Sequence, residues 1–250
     1  MHAVPRPALA FREPLMPRLV FVSDTHTMHA QTTQHIVAAS ADILVHAGDF
    51  SSTGKRSEIA DFADWCSMLL KKGYVKHVVV VAGNHDILLD STCAPYSRRD
   101  DPDGQRQCIE RIRAAGVVYL CDSGATVAGL RFYGIPWTPR FFDWAFQVDS
   151  PGQDEDVFGK VPADLDVLVT HGPPYGIGDL VPRGERTGSR AHLRTIERLK
   201  PRVNVFGHIH EGYGMTVTPW GTLCINASTC TGDYKPHNRP IVLDMSTESE

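Results

Sequence analysis

Five apolar, largely β-branched runs punctuate this chain, at 19–22, 43–45, 78–81, 165–169 and 203–206. Such runs, continuous rather than alternating, predict strands covered on both faces, as in the parallel sheets of α/β proteins. Between the second and third runs, Ile59, Phe62, Ala63, Cys66, Leu69 and Leu70 fall on one face at 3.6-residue spacing. They predict a helix over 57–71, with Ser57 and Glu58 as its polar start. Further helices are expected near 31–38, 106–114 and 190–199. The first three runs extend to strands at 18–23, 42–47 and 77–82, and short strands follow near 117–120, 125–128 and 130–134. β-Hairpin-like segments near 214–218, 221–226 and 240–243 close the chain. Two stretches, 91–105 and 136–162, read as irregular; the second carries Trp137, Phe141, Phe142, Trp144 and Phe146. Two sheets face to face with helices outside accommodate this pattern. No linker divides it, which predicts one domain over 18–245 behind a flexible leader, 1–17.

Composition narrows the class. The 250 residues are 42% hydrophobic and 22% charged, as in a soluble globular protein. A net charge of −4 argues against a general electrostatic grip on nucleic acid, so no nucleic-acid polymer is expected as a partner. No apolar stretch reaches the ~20 residues of a membrane span, and 1–17 contains no signal-peptide core. The cysteines, at 66, 93, 108, 121, 224 and 230, include no Cys-x-x-Cys pair. Free thiols in a reducing cytoplasm are the expectation. Cys93 and Cys108 bracket the 91–105 loop and are near enough to pair, but two unrelated thiols are favoured.

Each apolar run ends in a short motif of metal-ligand residue types: Asp24-Thr25-His26, Gly48-Asp49, Gly83-Asn84-His85-Asp86, Thr170-His171-Gly172 and Gly207-His208-Ile209-His210. Open α/β sheets build their sites at the carboxyl ends of strands. Side chains two apart on a strand share a face, so Asp24 and His26 would offer an oxygen and a nitrogen to one cation. The same holds for His208 and His210, unless the chain is already turning there, in which case they diverge to two ions. Asp49 follows a glycine at a strand end, where a carboxylate can bridge two metals. Asn84 offers an amide oxygen and His171 a further nitrogen. His85, surplus to the ligand count, is placed to protonate a leaving alkoxide. Mixed nitrogen and oxygen ligation without thiolate suits Mn, Fe, Zn, Ni or Co better than Mg. Two such ions about 3.5–4 Å apart generate hydroxide at neutral pH and clamp both oxygens of an in-line displacement at phosphorus. Each fragment alone is ordinary. Five in series, each after its own strand, predict a dinuclear metal site.

These motifs, in this order, resemble the calcineurin-like metallophosphoesterases, and the resemblance spans about 18–245. It implies a four-layer α/β/β/α sandwich and a two-metal phosphoester hydrolase acting through a metal-bridging hydroxide. It further implies one metal on Asp24, His26, Asp49 and His210, and the other on Asn84, His171 and His208, with Asp49 bridging. His85 matches the family's histidine beside the scissile phosphate. A narrower likeness rests on Gly134-Ile135-Pro136-Trp137-Thr138, Thr170-His171-Gly172-Pro173-Pro174, the segment from Val205 to Gly214, and Asn226-Ala227-Ser228-Thr229-Cys230. These resemble the branch of the vertebrate brain metallophosphoesterase-domain proteins, itself similar to the bacterial class III cyclic nucleotide phosphodiesterases. That likeness implies phosphodiester hydrolysis with manganese as a common activator, and a small phosphodiester, such as a cyclic nucleotide, as substrate. Some vertebrate members carry glycine where His208 stands here, so the histidine implies a full metal set.

Other features are weighed against plainer explanations. His46 reads as a packed core histidine. His29, His35, His77, His192 and His237 have no motif context and read as surface residues. Asp86 either orients His85 or caps the following helix. Gly48 to Lys55 resembles a phosphate loop but has five residues between its glycines rather than four, and Arg56 stands where Ser or Thr is needed. Arg183, Arg186 and Arg190 read as solvated loop charge more readily than as phosphate contacts. The aromatics of 137–146, with Tyr175 and Tyr213, would either stack a nucleobase or pack the sandwich edge. Alternative functions on the same core are a phosphomonoesterase, a nucleotide pyrophosphatase, or an inert scaffold, whose mark would be a missing ligand.

Overall fold

The computed structural model describes residues 16–92 and 103–247. Most of the expected leader and of the 91–105 loop, Cys93 included, lies outside the described residues. The first half runs β1 (Arg18–Val22), α1 (Thr33–Ala39), β2 (Ile43–His46), α2 (Arg56–Lys71), β3 (His77–Val81), α3 (Gly104–Ala114) and β4 (Val118–Leu120). Next come β5 (Ser123–Val127), β6 (Leu130–Ile135), β7 (Thr138–Pro139), β8 (Gln147–Val148) and α4 (Pro151–Phe158). The chain then forms β9 (Val167–Thr170), α5 (Arg190–Leu199), β10 (Val203–Phe206), β11 (Gly214–Val217), β12 (Leu223–Asn226) and β13 (Ile241–Asp244).

The strands build two main sheets, ordered β13-β1-β2-β3-β4 and β11-β12-β10-β9-β6-β5. Within them β1 to β4 are parallel, as are β6, β9, β10 and β12, while β13, β11 and β5 run antiparallel to their neighbours. Alternation along the apolar runs explains the layering. Leu19 and Phe21 of β1, Val45 of β2 and Val79 and Val81 of β3 point between the sheets. There they meet Phe132, Val167, Val169, Val203, Val205 and Ile225 of the second sheet. The intervening Val20, Val22, Leu44, Val78 and Val80 point outward under Ile59, Phe62, Cys66 and Leu69 of α2 and Ile112 of α3. On the far side, Leu168 and Phe206 lie under Val157 and Phe158 of α4 and Ala191 and Ile196 of α5. Three apolar layers between four layers of structure make an α/β/β/α sandwich, and both faces of each central strand are dry, as continuous apolar runs require.

The structure departs from the sequence reading in places with physical causes. Residues 136–162 are not wholly irregular: Ser150 accepts a hydrogen bond from the Gln153 N–H at 3.3 Å, Pro151 takes the first helical position, and α4 follows. The segment near 240–243 is not part of a terminal hairpin but crosses to the first sheet and pairs with β1. His29 and His192 are buried, not surface residues. The His29 ring packs against Phe62 and Trp65, with Nε2 3.1 Å from Asp61, and His192 stacks on Phe158 at 4.7 Å. His35 and His237 are exposed and His77 half-buried. His46 is a core histidine, its Nε2 2.9 Å from the Thr25 hydroxyl. Among the described residues no helix is long and apolar enough to cross a membrane.

Candidate metal centre

The loops leaving β1, β2, β3, β9 and β10 converge at one end of the sandwich and bring all seven ligand-type residues together. The convergence of Asp24 and His26 is not strand alternation. β1 ends at Val22, and both residues turn with left-handed backbones, φ +49° and +41°. Their N–H groups are tied to the carbonyls of Gly48 (2.9 Å) and Asp49 (3.0 Å), so the two loops template one another. Asp49 and His208 are also left-handed, φ +56° and +67°. Four such residues in one cluster store backbone strain at the site. The flanking glycines make room for them. A Cβ on Gly207 would fall on the Asp24 carboxylate and the Ser23 hydroxyl, and one on Gly83 would fall on Asp49.

Two groups of donors share this space. Asp24, His26 and His210 place one ligand atom each within 4.8 Å of one another, as do Asp49, His171 and His208. Asp49 lies between them, with Oδ2 3.4 Å from His171 Nε2 and 3.9 Å from His26 Nε2. The Asn84 amide oxygen is 2.9 Å from His171 Nε2. His26, Asp49 and His85 form a third, overlapping group.

Backbone carbonyls aim the imidazoles. A carbonyl only accepts, so His171 donates through Nδ1 to Ala47 (2.9 Å) and His210 through Nδ1 to Thr231 (2.9 Å). Each keeps Nε2 for the cluster, the arrangement that orients metal-ligating histidines. Asp24 accepts from the His208 N–H at 3.0 Å and from the Ser228 hydroxyl at 2.9 Å. Asp86 neither orients His85 nor caps the next turn. Its carboxylate gathers the N–H groups of Gly83 (2.8 Å), Asp49 (3.0 Å) and Ser51 (3.0 Å), locking the Asp49 loop to the Asn84 loop.

Charge follows from this packing. Burial opposes ionisation of Asp24 and Asp49, yet His210 beside the first and His171 beside the second hold both well below the usual carboxylate range. Burial likewise opposes protonation of His171 and His210, but Asp49 and Asp24 outweigh it and push each up to about 9. His26 and His208 are pushed down to about 4 by burial. Two carboxylates are thus balanced by two imidazolium protons, which a cation must displace. The buried His26 Nδ1 has no hydrogen-bond partner, and its Nε2 faces His210 Nε2 at 3.4 Å. A dense set of nitrogen and oxygen donors without thiolate fits transition-metal ions.

Several residues around the cluster carried no motif. The His85 ring is held by Nδ1 donating to the Ser52 carbonyl at 2.7 Å, by Trp144 stacked at 4.1 Å, and by the edge of His26 at 4.7 Å. Tyr234 lies edge-on to His26 at 4.8 Å and to His210 at 5.5 Å. Trp144 stood among the 137–146 aromatics offered for stacking or for edge packing, Ser228 fell within the Asn226–Cys230 segment, and nothing in the sequence marks Tyr234 as a site residue. The aromatics of 137–146 divide: Trp137 packs on Phe146 at 5.6 Å, while Phe141 and Phe142 remain exposed at the cleft. Arg186 pairs with buried Asp179 at 2.7 Å, and Arg190 lies over the Tyr175 ring at 3.8 Å. Arg183 alone of those three arginines lines the cleft.

Residues 17–212 match the family described as calcineurin-like phosphoesterase, and the chain belongs to that family of metal-dependent phosphoester hydrolases. Among curated proteins it is 37% identical to human metallophosphoesterase domain-containing protein 1 over 257 residues, covering 98% of this chain and 74% of that protein. It is 33% identical to the Caenorhabditis elegans UPF0046 protein K07C11.7, covering 90% of this chain and 74% of the other. A solved structure, the phosphopantetheinyl hydrolase of Mycobacterium tuberculosis, shares the fold at a TM-score of 0.53 and 16% identity, covering 90% and 96% of the two chains.

Proposed function

We propose that this protein hydrolyses small phosphodiesters, cyclic nucleotides among them, with two divalent transition-metal ions, manganese first. One ion is assigned to Asp24, His26, Asp49 and His210, the other to Asn84, His171 and His208, with Asp49 bridging. Bound there, the ions supply Lewis acidity to the phosphoryl group and acidity to a water. Asn84 positions a neutral oxygen where a third carboxylate would add repulsion. His85 is the general acid: Nδ1 is committed to Ser52, which leaves Nε2 to deliver a proton to the leaving oxygen.

The observation that carries the diester reading is the cleft over the cluster. It measures about 430 Å³ and is floored by Asp49, Asn84, His85, His208 and His210. Its lining also takes the apolar Pro139, Phe141 and Phe142 from one segment and Val181 and Pro182 from another, beside Arg140 and Arg183. Apolar side chains from two segments leave room for a second organic group on a phosphate, where a monoester has only one. We place the protein in the cytoplasm, in keeping with its cysteine usage.

The test is turnover of bis-p-nitrophenyl phosphate against p-nitrophenyl phosphate by metal-stripped protein reloaded with manganese. Faster diester cleavage is expected. Faster monoester cleavage would replace this reading with a phosphatase, and no turnover of either by manganese-loaded protein would refute hydrolysis of both simple classes.

A further inference from the structure

Phe142 is 74% exposed and has a left-handed backbone, φ +53°. A bulky side chain at positive φ is strained, and the exposed ring recovers little of that in folding, touching Phe141 edge-on at 4.6 Å. The strain is nonetheless held in place. The Phe142 carbonyl accepts from the Arg140 guanidinium at 3.0 Å, and the Phe141 carbonyl from the Gln147 amide at 2.6 Å. Arg140 is itself pinned by Asp149. The backbone is thus tied from behind while both rings stand at the cleft, with Phe141 6.3 Å from His208.

The Val181–Pro182 part of the lining is built the same way. Val181 and Pro182 sit on a turn closed by the Val181 N–H to the Glu185 carbonyl at 3.0 Å. Arg186 roots that turn on buried Asp179. An arginine–aspartate pair therefore braces each of these two segments of a cleft that also takes in Asp49, Asn84, His208 and His210. Exposed aromatic side chains carried on a tied-down backbone, strained at Phe142, beside the metal-ligand cluster form a recognition surface.

We propose that Phe141 and Phe142 are the specificity-determining residues of this site, selecting phosphate esters that carry a planar aromatic group by stacking it on the Phe142 ring. This rests on the cleft assigned above and names the chemistry of the group that fills it. Stacking on an aromatic side chain tolerates any planar ring and is independent of hydrogen-bonding edges. Aryl and nucleobase esters should be accepted alike, and alkyl and sugar esters disfavoured.

The test is calorimetric binding of adenosine 5′-monophosphate and ribose 5-phosphate to manganese-loaded protein, a pair that differs only in the base. The nucleotide should bind about tenfold tighter or better. Phe142→Ala should reduce that ratio to within about twofold, and Phe142→Trp should restore it. Phe142→Leu serves as the control for folding, since it keeps apolar bulk without the ring and should also lose the preference. Equal binding of the two probes by the native protein, failure of both to bind, or an unchanged ratio in Phe142→Ala would overturn the proposal. The readout does not need turnover, so a base preference in a protein inert to both nitrophenyl esters would refute hydrolysis of those simple classes and leave this proposal standing.

Discussion

The Nε2 atoms of His26 and His210 face each other at 3.4 Å, one from the loop after β1 and the other from the loop after β10. With His210 Nδ1 committed to the Thr231 carbonyl, the contact sets two ring nitrogens of separate sheets against one another beside Asp24. A cation bound between them would displace the His210 proton and replace this contact with a clamp joining the two sheets.

His210→Ala should therefore bind about one manganese fewer per chain and lose most of the rise in melting temperature that manganese gives the native protein. Elemental analysis and a thermal melt check both. Two ions retained at native affinity would remove His210 from the ligand set.

His85→Ala should lose activity according to the leaving group. Nitrophenolate departs unaided, so its esters should lose about tenfold, while alkyl esters should lose 10²–10⁴-fold, the usual range for general acid catalysis. Parallel losses across a leaving-group series would take the proton-donor role away from His85.

Gly207→Ala should damage the metal centre without touching a ligand. Its Cβ would collide with Asp24 and Ser23, both buried between the sheets. Overpacking of this kind costs about 1–3 kcal/mol, and here the displaced group is a ligand-type carboxylate. Denaturant unfolding should show the loss, together with weakened manganese binding. A variant as stable as the native protein with full metal content would contradict the close packing described.

His192 sets an acid limit on stability. Burial pushes its folded value down to about 3, against 6.5 for the unfolded chain. Between these values the unfolded state binds the extra proton, so stability is complete above 6.5 and declines as pH falls toward 3. His192→Leu, which removes the buried imidazole, should flatten part of that decline. Melting temperatures at pH 7.5 and pH 5 give the measurement. An equal drop in native and variant protein would exclude His192 as a source of acid lability.

The sequence carried the site further than the reasons for it. All seven expected ligand residues and His85 meet in one cluster, because strand-end motifs on parallel strands converge whatever the loops do. The geometry inside the cluster was not legible, since Asp24 and His26 turn on left-handed backbones after β1 has ended. Tyr234 was illegible for a different reason: it reaches the cluster from a loop whose local sequence has no periodicity or motif, while Trp144 stood among five aromatics whose two roles the sequence left open. The split among the aromatics, Trp137 inward and Phe141 and Phe142 outward, depends on the ties from Arg140 and Gln147, which no spacing reveals. The start of α4 was readable in Ser150-Pro151, but five neighbouring aromatics suggested an irregular edge instead.

The pairing of β13 with β1 joins Arg18 to Asp244, 226 residues apart. A ribosome adds roughly 5–20 residues per second, so the β1 edge emerges roughly ten to forty seconds before the strand that covers it. Through that interval β1, β2 and β3 can already be side by side, with an uncapped apolar border open to any passing chain. Among the described strands, the last to be made is thus the one that closes the first.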